Sequence, residues 1–383
     1  MKSNYKKIGD YVRQVSNRNI GLKTTNLKGI NINKGFMPSV ANINGTDLSK
    51  YKIVKKDQFA FNPMHVGRDE VLPISLWRDD EKIIVSPAYT VFEITDTSIL
   101  NPEYLMMWFG RSEFDRNCWF TTDNSVRGGF SWEDFIAIEF PLIDPERQLK
   151  IVQEYTSLIS NLDKYARELI LLEELVKNIF TNFFKDCDES NSEYKALDDV
   201  CHLITDGKHG DSENEEGSGY YFISIKDLVD GDIDYNNSRQ ITFSDFLETH
   251  NRTNFTEGDI IFSNTGTIGK SLILRDRSET KKTTCQKSLA ILKPNYDLIT
   301  SEFLYCLLQV NIKDFKDLAG GTSQHNLLLG DMKNYAFLYP SIDQITQFST
   351  LVSPIFNRIN HLVDMRRNTK AFLSVLQSSL SKG

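Results

Sequence analysis

The sequence predicts an α+β chain: two similar mixed α/β domains, each followed by one long helix, with the two helices pairing antiparallel as a coiled coil. Three observations carry this. Short motifs recur in the same order about 200 residues apart, the mark of an internal duplication. Each half closes on a stretch of about 40 residues whose apolar positions alternate at three- and four-residue steps. A length of 383 residues exceeds what one ordinary core organises.

The duplication is read from matched segments. Lys56-Asp57-Gln58-Phe59-Ala60-Phe61-Asn62 corresponds to Gly258-Asp259-Ile260-Ile261-Phe262-Ser263-Asn264. Asn101-Pro102-Glu103-Tyr104-Leu105 corresponds to Thr300-Ser301-Glu302-Phe303-Leu304, and Phe140-Pro141-Leu142-Ile143-Asp144 to Tyr339-Pro340-Ser341-Ile342-Asp343. Strands are expected at 53–61, 71–77 and 83–92, then a helix at 102–117. The second half offers strands at 221–225, 259–263, 271–275 and 288–292, and a helix from Ser301 through Val310. Asn44-Gly45, Asp206-Gly207, Gly231-Asp232 and Gly320-Gly321 read as turns, and 211–219 as a flexible acidic loop.

The first long helix carries Val152, Tyr155, Ile159, Leu162, Ala166, Leu169, Val176, Phe180 and Phe183 on one stripe, interrupted at Glu173. The second carries Val352, Ile355, Ile359, Leu362, Leu373, Leu376 and Leu380, interrupted at Arg366 and Thr369. Ile159, Leu162, Leu169, Val176, Ile359, Leu362, Leu373 and Leu376 are the expected seam between them. Each helix would run roughly 60 Å, longer than a domain of this size is wide, so the stripes are expected to bury each other. Pro354 should kink the second helix or delay its start.

Composition narrows the function classes. No run of about 18 apolar residues exists, so no membrane span is expected, and the N-terminus has no apolar signal-peptide core. Five cysteines without a Cys-x-x-Cys pair fit neither a zinc site nor a disulfide framework, and a cytoplasmic location is expected. The net charge of -8 is unevenly placed: residues 1–60 sum to +9 and residues 186–259 to -14. A DNA-facing surface is compatible with that total, because phosphate contact depends on local charge.

Catalytic patterns are missing. Asn264-Thr265-Gly266-Thr267-Ile268-Gly269-Lys270-Ser271 resembles a phosphate-binding loop, but Asn264 replaces its first glycine and a strand-like segment follows where a helix must open. Asn62-Pro63-Met64-His65 lacks the second proline and the aromatic of an amino-methyltransferase loop. The six histidines show no metal-ligand spacing, and no serine or cysteine sits in a nucleophile elbow.

Four loops combine donors with small residues: His65-Val66-Gly67-Arg68, Asn124-Ser125-Val126-Arg127-Gly128-Gly129, Thr205-Asp206-Gly207-Lys208-His209-Gly210 and Ser323-Gln324-His325-Asn326. Arg can grip guanine and Asn or Gln adenine in the major groove, whereas Lys and backbone amides hold phosphates. The candidate DNA-contacting residues are Lys52, Lys55, Asn62, His65, Arg68, Asn124 and Arg127 in the first half. In the second they are Lys208, His209, Asn264, Thr265, Thr267, Lys270, Lys287, Gln324 and His325.

Over essentially its full length the chain resembles the specificity subunit of type I restriction–modification enzymes. The carriers are Lys34-Gly35-Phe36-Met37-Pro38-Ser39, Asp47-Leu48-Ser49-Lys50-Tyr51-Lys52-Ile53-Val54 and Leu100-Asn101-Pro102-Glu103-Tyr104-Leu105. Asp206-Gly207-Lys208-His209-Gly210, Gly258-Asp259-Ile260-Ile261-Phe262, Gly266-Thr267-Ile268-Gly269-Lys270 and Gly321-Thr322-Ser323-Gln324 carry it in the second half. The resemblance implies two target-recognition domains, at 1–143 and 186–341, and two spacer helices, at 144–185 and 342–383. Each domain would read half of a split double-stranded DNA site, and the helices would fix the gap and dock two methyltransferase subunits, which restriction subunits join. No catalytic residue, metal or cofactor is expected in this chain; S-adenosylmethionine, ATP and Mg belong on the partners. The chain is expected to open almost directly on its first recognition domain. Two other readings stay open. A self-contained DNA methyltransferase or endonuclease would bind methyl donor unaided, and a structural coiled-coil adaptor would give an assembly without salt-sensitive DNA binding.

Overall fold

The computed structural model describes residues 4–39, 45–64, 66–122, 129–185, 193–320 and 325–380, and of Arg68 the backbone only. The chain divides into two compact units, Met1–Leu162 with Asn368–Gly383, and Asp163–Arg367. Both boundaries fall inside long helices, Pro145–Phe183 and Ile342–Ser379, so each unit holds part of both.

The first unit is built on an antiparallel sheet ordered Val12–Val15, Thr90–Ile94, Gln58–Phe61, Ile74–Leu76. Strand Gln58–Phe61 is buried on both faces. Alternation sends Phe59 and Phe61 into the larger core with Phe92, Tyr104, Leu105 and Phe109, and Ala60 into a smaller one with Val54, Trp77 and Val85. The Phe59 and Phe92 rings stack at 4.9 Å. The expected strand at 53–61 is two strands, Lys52–Val54 and Gln58–Phe61, because Asp57 turns at φ +62. The one expected at 83–92 is likewise Ile83–Val85 and Thr90–Ile94. The helix expected at 102–117 is also two, Pro102–Phe109 and Ser112–Phe120, separated where Arg111 is extended. Asn101 caps the first by accepting from Glu103 N and Tyr104 N, with Pro102 at the tolerated first position.

The second unit retraces the same path. Its sheet is ordered Cys201–Asp206, Leu289–Pro294, Ile260–Ser263, Ser271–Ile273. Helices Ser301–Val310, Ile312–Leu318 and Leu329–Lys333 follow, matching Pro102–Phe109, Ser112–Phe120 and Trp132–Ala137 of the first. Thr300 caps where Asn101 does. The repeated motifs are thus a repeated topology. The acidic segment read as a flexible loop is tied down: Asn214 bridges Ile241, and Arg239 lies 2.7 Å from Asp211.

Each unit contains a stretch of the helix pair. In the second, Leu169, Leu362 and Val363 form a buried cluster edged by Tyr165, Leu172 and Ile359. Val176 and Phe180 enter the main core with Phe348 and Val352. Partners rise in number along one helix and fall along the other, as in Glu168–Arg358 at 2.7 Å and Phe183–Phe348 at 5.9 Å, so the pairing is antiparallel. In the first unit Tyr155 hydrogen-bonds Gln377, and Leu380 joins the core. There Leu373 is buried, Leu162 and Leu376 are half-buried, and Ile159 is exposed. The second long helix starts at Ile342 and continues through Pro354 rather than beginning after it.

Candidate nucleic-acid interface

In the second unit four separated loops are laced into one surface through backbone hydrogen bonds. Strand Cys201–Asp206 runs into Gly207, where a Cβ would lie 1.9 Å from the Cys285 carbonyl oxygen; only glycine permits this approach. It is a close crossing rather than the simple turn expected. Beyond it Lys208 N donates to Cys285 O at 2.8 Å, and Lys287 N donates to Lys208 O at 3.1 Å. Asn264 N then donates to Ser288 O at 3.1 Å, and Leu327 N to Asn264 O at 2.8 Å. Gly266 N donates to His325 O at 2.9 Å, and Thr265 Oγ1 to Asn326 Oδ1 at 2.9 Å. Six of the residues expected from sequence, Lys208, Asn264, Thr265, Lys287, His209 and His325, therefore converge.

The segment resembling a phosphate loop joins two antiparallel strands. Lys270 N donates to Ser263 Oγ at 2.8 Å and Thr267 O accepts from the same hydroxyl, while Gly266 and Gly269 hold φ of +71 and +97. Lys270 Nζ reaches Ile225 O at 3.2 Å. A strand, Ser271–Ile273, follows, so the loop does not itself open a helix as a phosphate-binding loop must.

Carboxylates organise the cations here. Lys208 Nζ lies 2.8 Å from Asp245 and 2.7 Å from Glu248, and hydrogen bonds to them hold its ammonium above the usual lysine range. His209 Nε2 lies 2.9 Å from Asp206 Oδ2. Arg252 Nη2 donates to the carbonyls of Asp206 and Gly207. Asn264 is buried, donating weakly to Leu327 O at 3.5 Å, while its Oδ1 meets no partner. Among the described residues, Lys287 and His325 are exposed on this surface, and His209, also exposed, is held by Asp206. Sequence reasoning missed Arg239 and Arg252, whose partners stand 25 and 46 residues away along the chain.

In the first unit the described candidates separate. Lys52 Nζ donates to Tyr89 O at 2.5 Å, and burial, aided by Arg18, lowers its pKa. Asn62 Oδ1 accepts from Met64 N at 3.1 Å. Lys55 lies toward the other end of the sheet, where its charge acts on Glu93. His65, Asn124, Arg127 and Gln324, and the side chain of Arg68, lie outside the described residues. Not every cation of the basic N-terminal stretch faces solvent: Lys34 is buried 2.8 Å from Asp115, its ammonium 5.1 Å from the Phe114 ring, and burial lowers its pKa.

Among the described residues no group of His, Cys, Asp and Glu could hold a metal ion, and no helix is long and apolar enough to cross a membrane. Cys118, Cys201, Cys285 and Cys306 are buried free thiols, and burial pushes all four well above the usual cysteine range.

Comparison with known proteins gives this surface a context. Residues 189–361 match the family model of the type I restriction modification DNA specificity domain. The type I restriction enzyme MjaIX specificity subunit of Methanocaldococcus jannaschii is 26% identical over an alignment of 245 residues that covers 58% of this chain and 55% of that protein. The chain thus spans about half the length of that curated relative. The crystal structure of the type I restriction–modification S subunit from M. genitalium superposes with a TM-score of 0.56 at 12% identity, over 98% of this chain and 95% of that one, a likeness of fold. With a duplicated topology and a specificity-domain match over residues 189–361, the chain is similar to the specificity subunits of type I restriction–modification systems.

Proposed function

We propose that this chain reads DNA sequence for a type I restriction–modification complex and catalyses nothing itself. Each unit's head recognises one half of a bipartite double-stranded site, and the paired helices set the number of base pairs between the halves. The observation that carries this reading is the repetition of one head topology, each copy leading into a long helix. In the second head Lys287, His209 and His325 are the residues offered to DNA, with Asn264 and Thr265 bracing the loops behind them. Exposed apolar residues of the helices, Ile170, Leu171 and Leu175 in one unit and Phe372 and Val375 in the other, offer docking faces for two methyltransferase subunits. Restriction subunits join that complex. S-adenosylmethionine, ATP and Mg act on those partners, in the cytoplasm.

The experiment is co-expression with the methyltransferase subunit and mapping of modified bases in the host genome. A bipartite motif with one gap length is expected, and Lys287→Ala with His209→Ala should relax one half of it while sparing the other. Methylation without a bipartite preference, or methyl-donor binding by the isolated chain, would sink the reading.

A further inference from the structure

The hairpin formed by Leu228–Val229 and Asp232–Ile233 turns through Asp230 and Gly231, both at positive φ (+57 and +77). Such a turn follows the twist of its strands and is rigid. Its tip lies against the second long helix: a Cβ on Gly231 would stand 3.6 Å from Val363 Cγ2. Around that contact is a network of shared charges. Arg275 Nη1 donates to Asp364 Oδ1 at 2.9 Å and to the Asn360 carbonyl at 3.1 Å; Arg277 Nη2 donates to the same Asp364 oxygen at 2.7 Å. The opposite nitrogens, Arg275 Nη2 and Arg277 Nη1, lie 3.1 and 2.8 Å from Asp232 Oδ2. One turn along the helix, Arg366 Nη2 stands 3.1 Å from Asp230 Oδ1.

Two guanidinium groups thus share one carboxylate on the hairpin and one on the helix. Arginine's planar fork fixes direction as well as distance in the hydrogen bonds to Asp364, while toward Asp232 Arg275 Nη2 and Arg277 Nη1 make no hydrogen bond and the contact is charge proximity alone. Arg275, Arg277 and Asp232 are largely withdrawn from water, with side-chain exposures of 12–16%. Charge groups so placed add little net stability, because desolvation offsets attraction, but they penalise every arrangement that separates them. The contacted stretch of helix, 360–366, is also where the apolar stripe breaks at Arg366.

We propose that Arg275, Arg277, Asp232 and Asp364, with Arg366 and Asp230, form a clamp that fixes the angle of the second reading head on its spacer helix and so sets how strictly the gap between half-sites is enforced. These are positioning residues and touch no base. The proposal rests on the DNA-reading function above and adds to it a determinant of gap stringency remote from the reading loops.

The test uses the assembled complex with its methyltransferase and DNA carrying the native motif at the native gap and at one base pair more or less. Asp364→Asn, a change at the most exposed member of the network, and Arg366→Ala, which opens only the second contact, are compared with Asp364→Glu. Both disruptive variants should methylate the native gap within about twofold of the parent, while discrimination against altered gaps falls about fivefold or more, the coupling usual for residues in one charge network. Asp364→Glu should restore most of it. Amide exchange in the isolated subunit should quicken at 228–233 in both disruptive variants. If either variant assembles, still reads the bipartite motif and rejects altered gaps as strictly as the parent, the clamp is refuted and the reading function stands. An equal loss of rate at every gap length would make the network merely structural and also refute it. A parent complex without a bipartite motif would instead overturn the reading function.

Discussion

Leu362 is fully buried on the second long helix against Leu169 and Val363, with Tyr165, Leu172 and Ile359 around them. Leu171, two residues from Leu169 on the facing helix, is 64% exposed. If the helices hold each other through this cluster, Leu362→Ala must leave a void between two rigid rods that cannot close it by shifting one side chain. Buried leucine truncations cost about 2–5 kcal/mol, and about 3 is expected at this site, roughly 150-fold in the unfolding equilibrium. In urea that moves the midpoint of the transition involving 163–367 down by about 1 M, followed by circular dichroism at 222 nm. The units need not unfold together, so the two transitions are fitted separately. Leu171→Ala should shift the midpoint by less than about 0.5 kcal/mol equivalent yet weaken association with the methyltransferase subunit, measured by sedimentation. Leu169→Ala combined with Leu362→Ala should cost less than the two separately, by at least about 0.5 kcal/mol. Equal shifts for Leu362→Ala and Leu171→Ala, or strict additivity of the Leu169 and Leu362 changes, would refute a mutual seam.

Two further outcomes follow from single positions. Gly207→Ala places a methyl against the Cys285 carbonyl and should cost about 2 kcal/mol or more while disturbing Lys208 and His209; an unchanged thermal midpoint with unchanged motif would contradict the crossing described. Burial, partly offset by Lys177, holds the Glu173 carboxyl above its ordinary range. A raised folded pKa favours folding below the unfolded value and loses that contribution as pH rises through the folded one. Glu173→Gln should therefore raise the urea midpoint at pH 8 and leave it nearly unchanged at pH 4; the reverse order would show the wrong sign.

Much of the fold was legible because its signals are local. The three- and four-residue apolar steps place both long helices, which run Pro145–Phe183 and Ile342–Ser379. The capping residues Asn101 and Thr300, ahead of matching apolar runs, mark the same helix start twice. Short strands were harder. The stretch 53–61 is apolar enough to read as one strand, and only the left-handed turn at Asp57 splits it, which no periodicity announces. The breaks in the helical stripe had meaning that spacing could not supply. Glu173 lines a cavity of about 430 Å³ together with Lys177, Tyr305 and Asn357. Arg366 turns to Asp230, 136 positions earlier. The site was legible as loops but not as a surface, since Lys208 meets Lys287, and Asn264 meets Leu327, through hydrogen bonds across long separations.

Each head is also shut at its own doorway. Tyr5–Lys7 pairs with Glu139–Pro141, and Glu193–Ala196 with Ala336–Tyr339, so the chain enters and leaves each lobe through a single two-stranded ladder. Everything lying between the two sides of that ladder is a cassette whose ends are already fastened together. Loops inside can lengthen, shorten or be exchanged wholesale without moving the two chain ends that the ladder holds together.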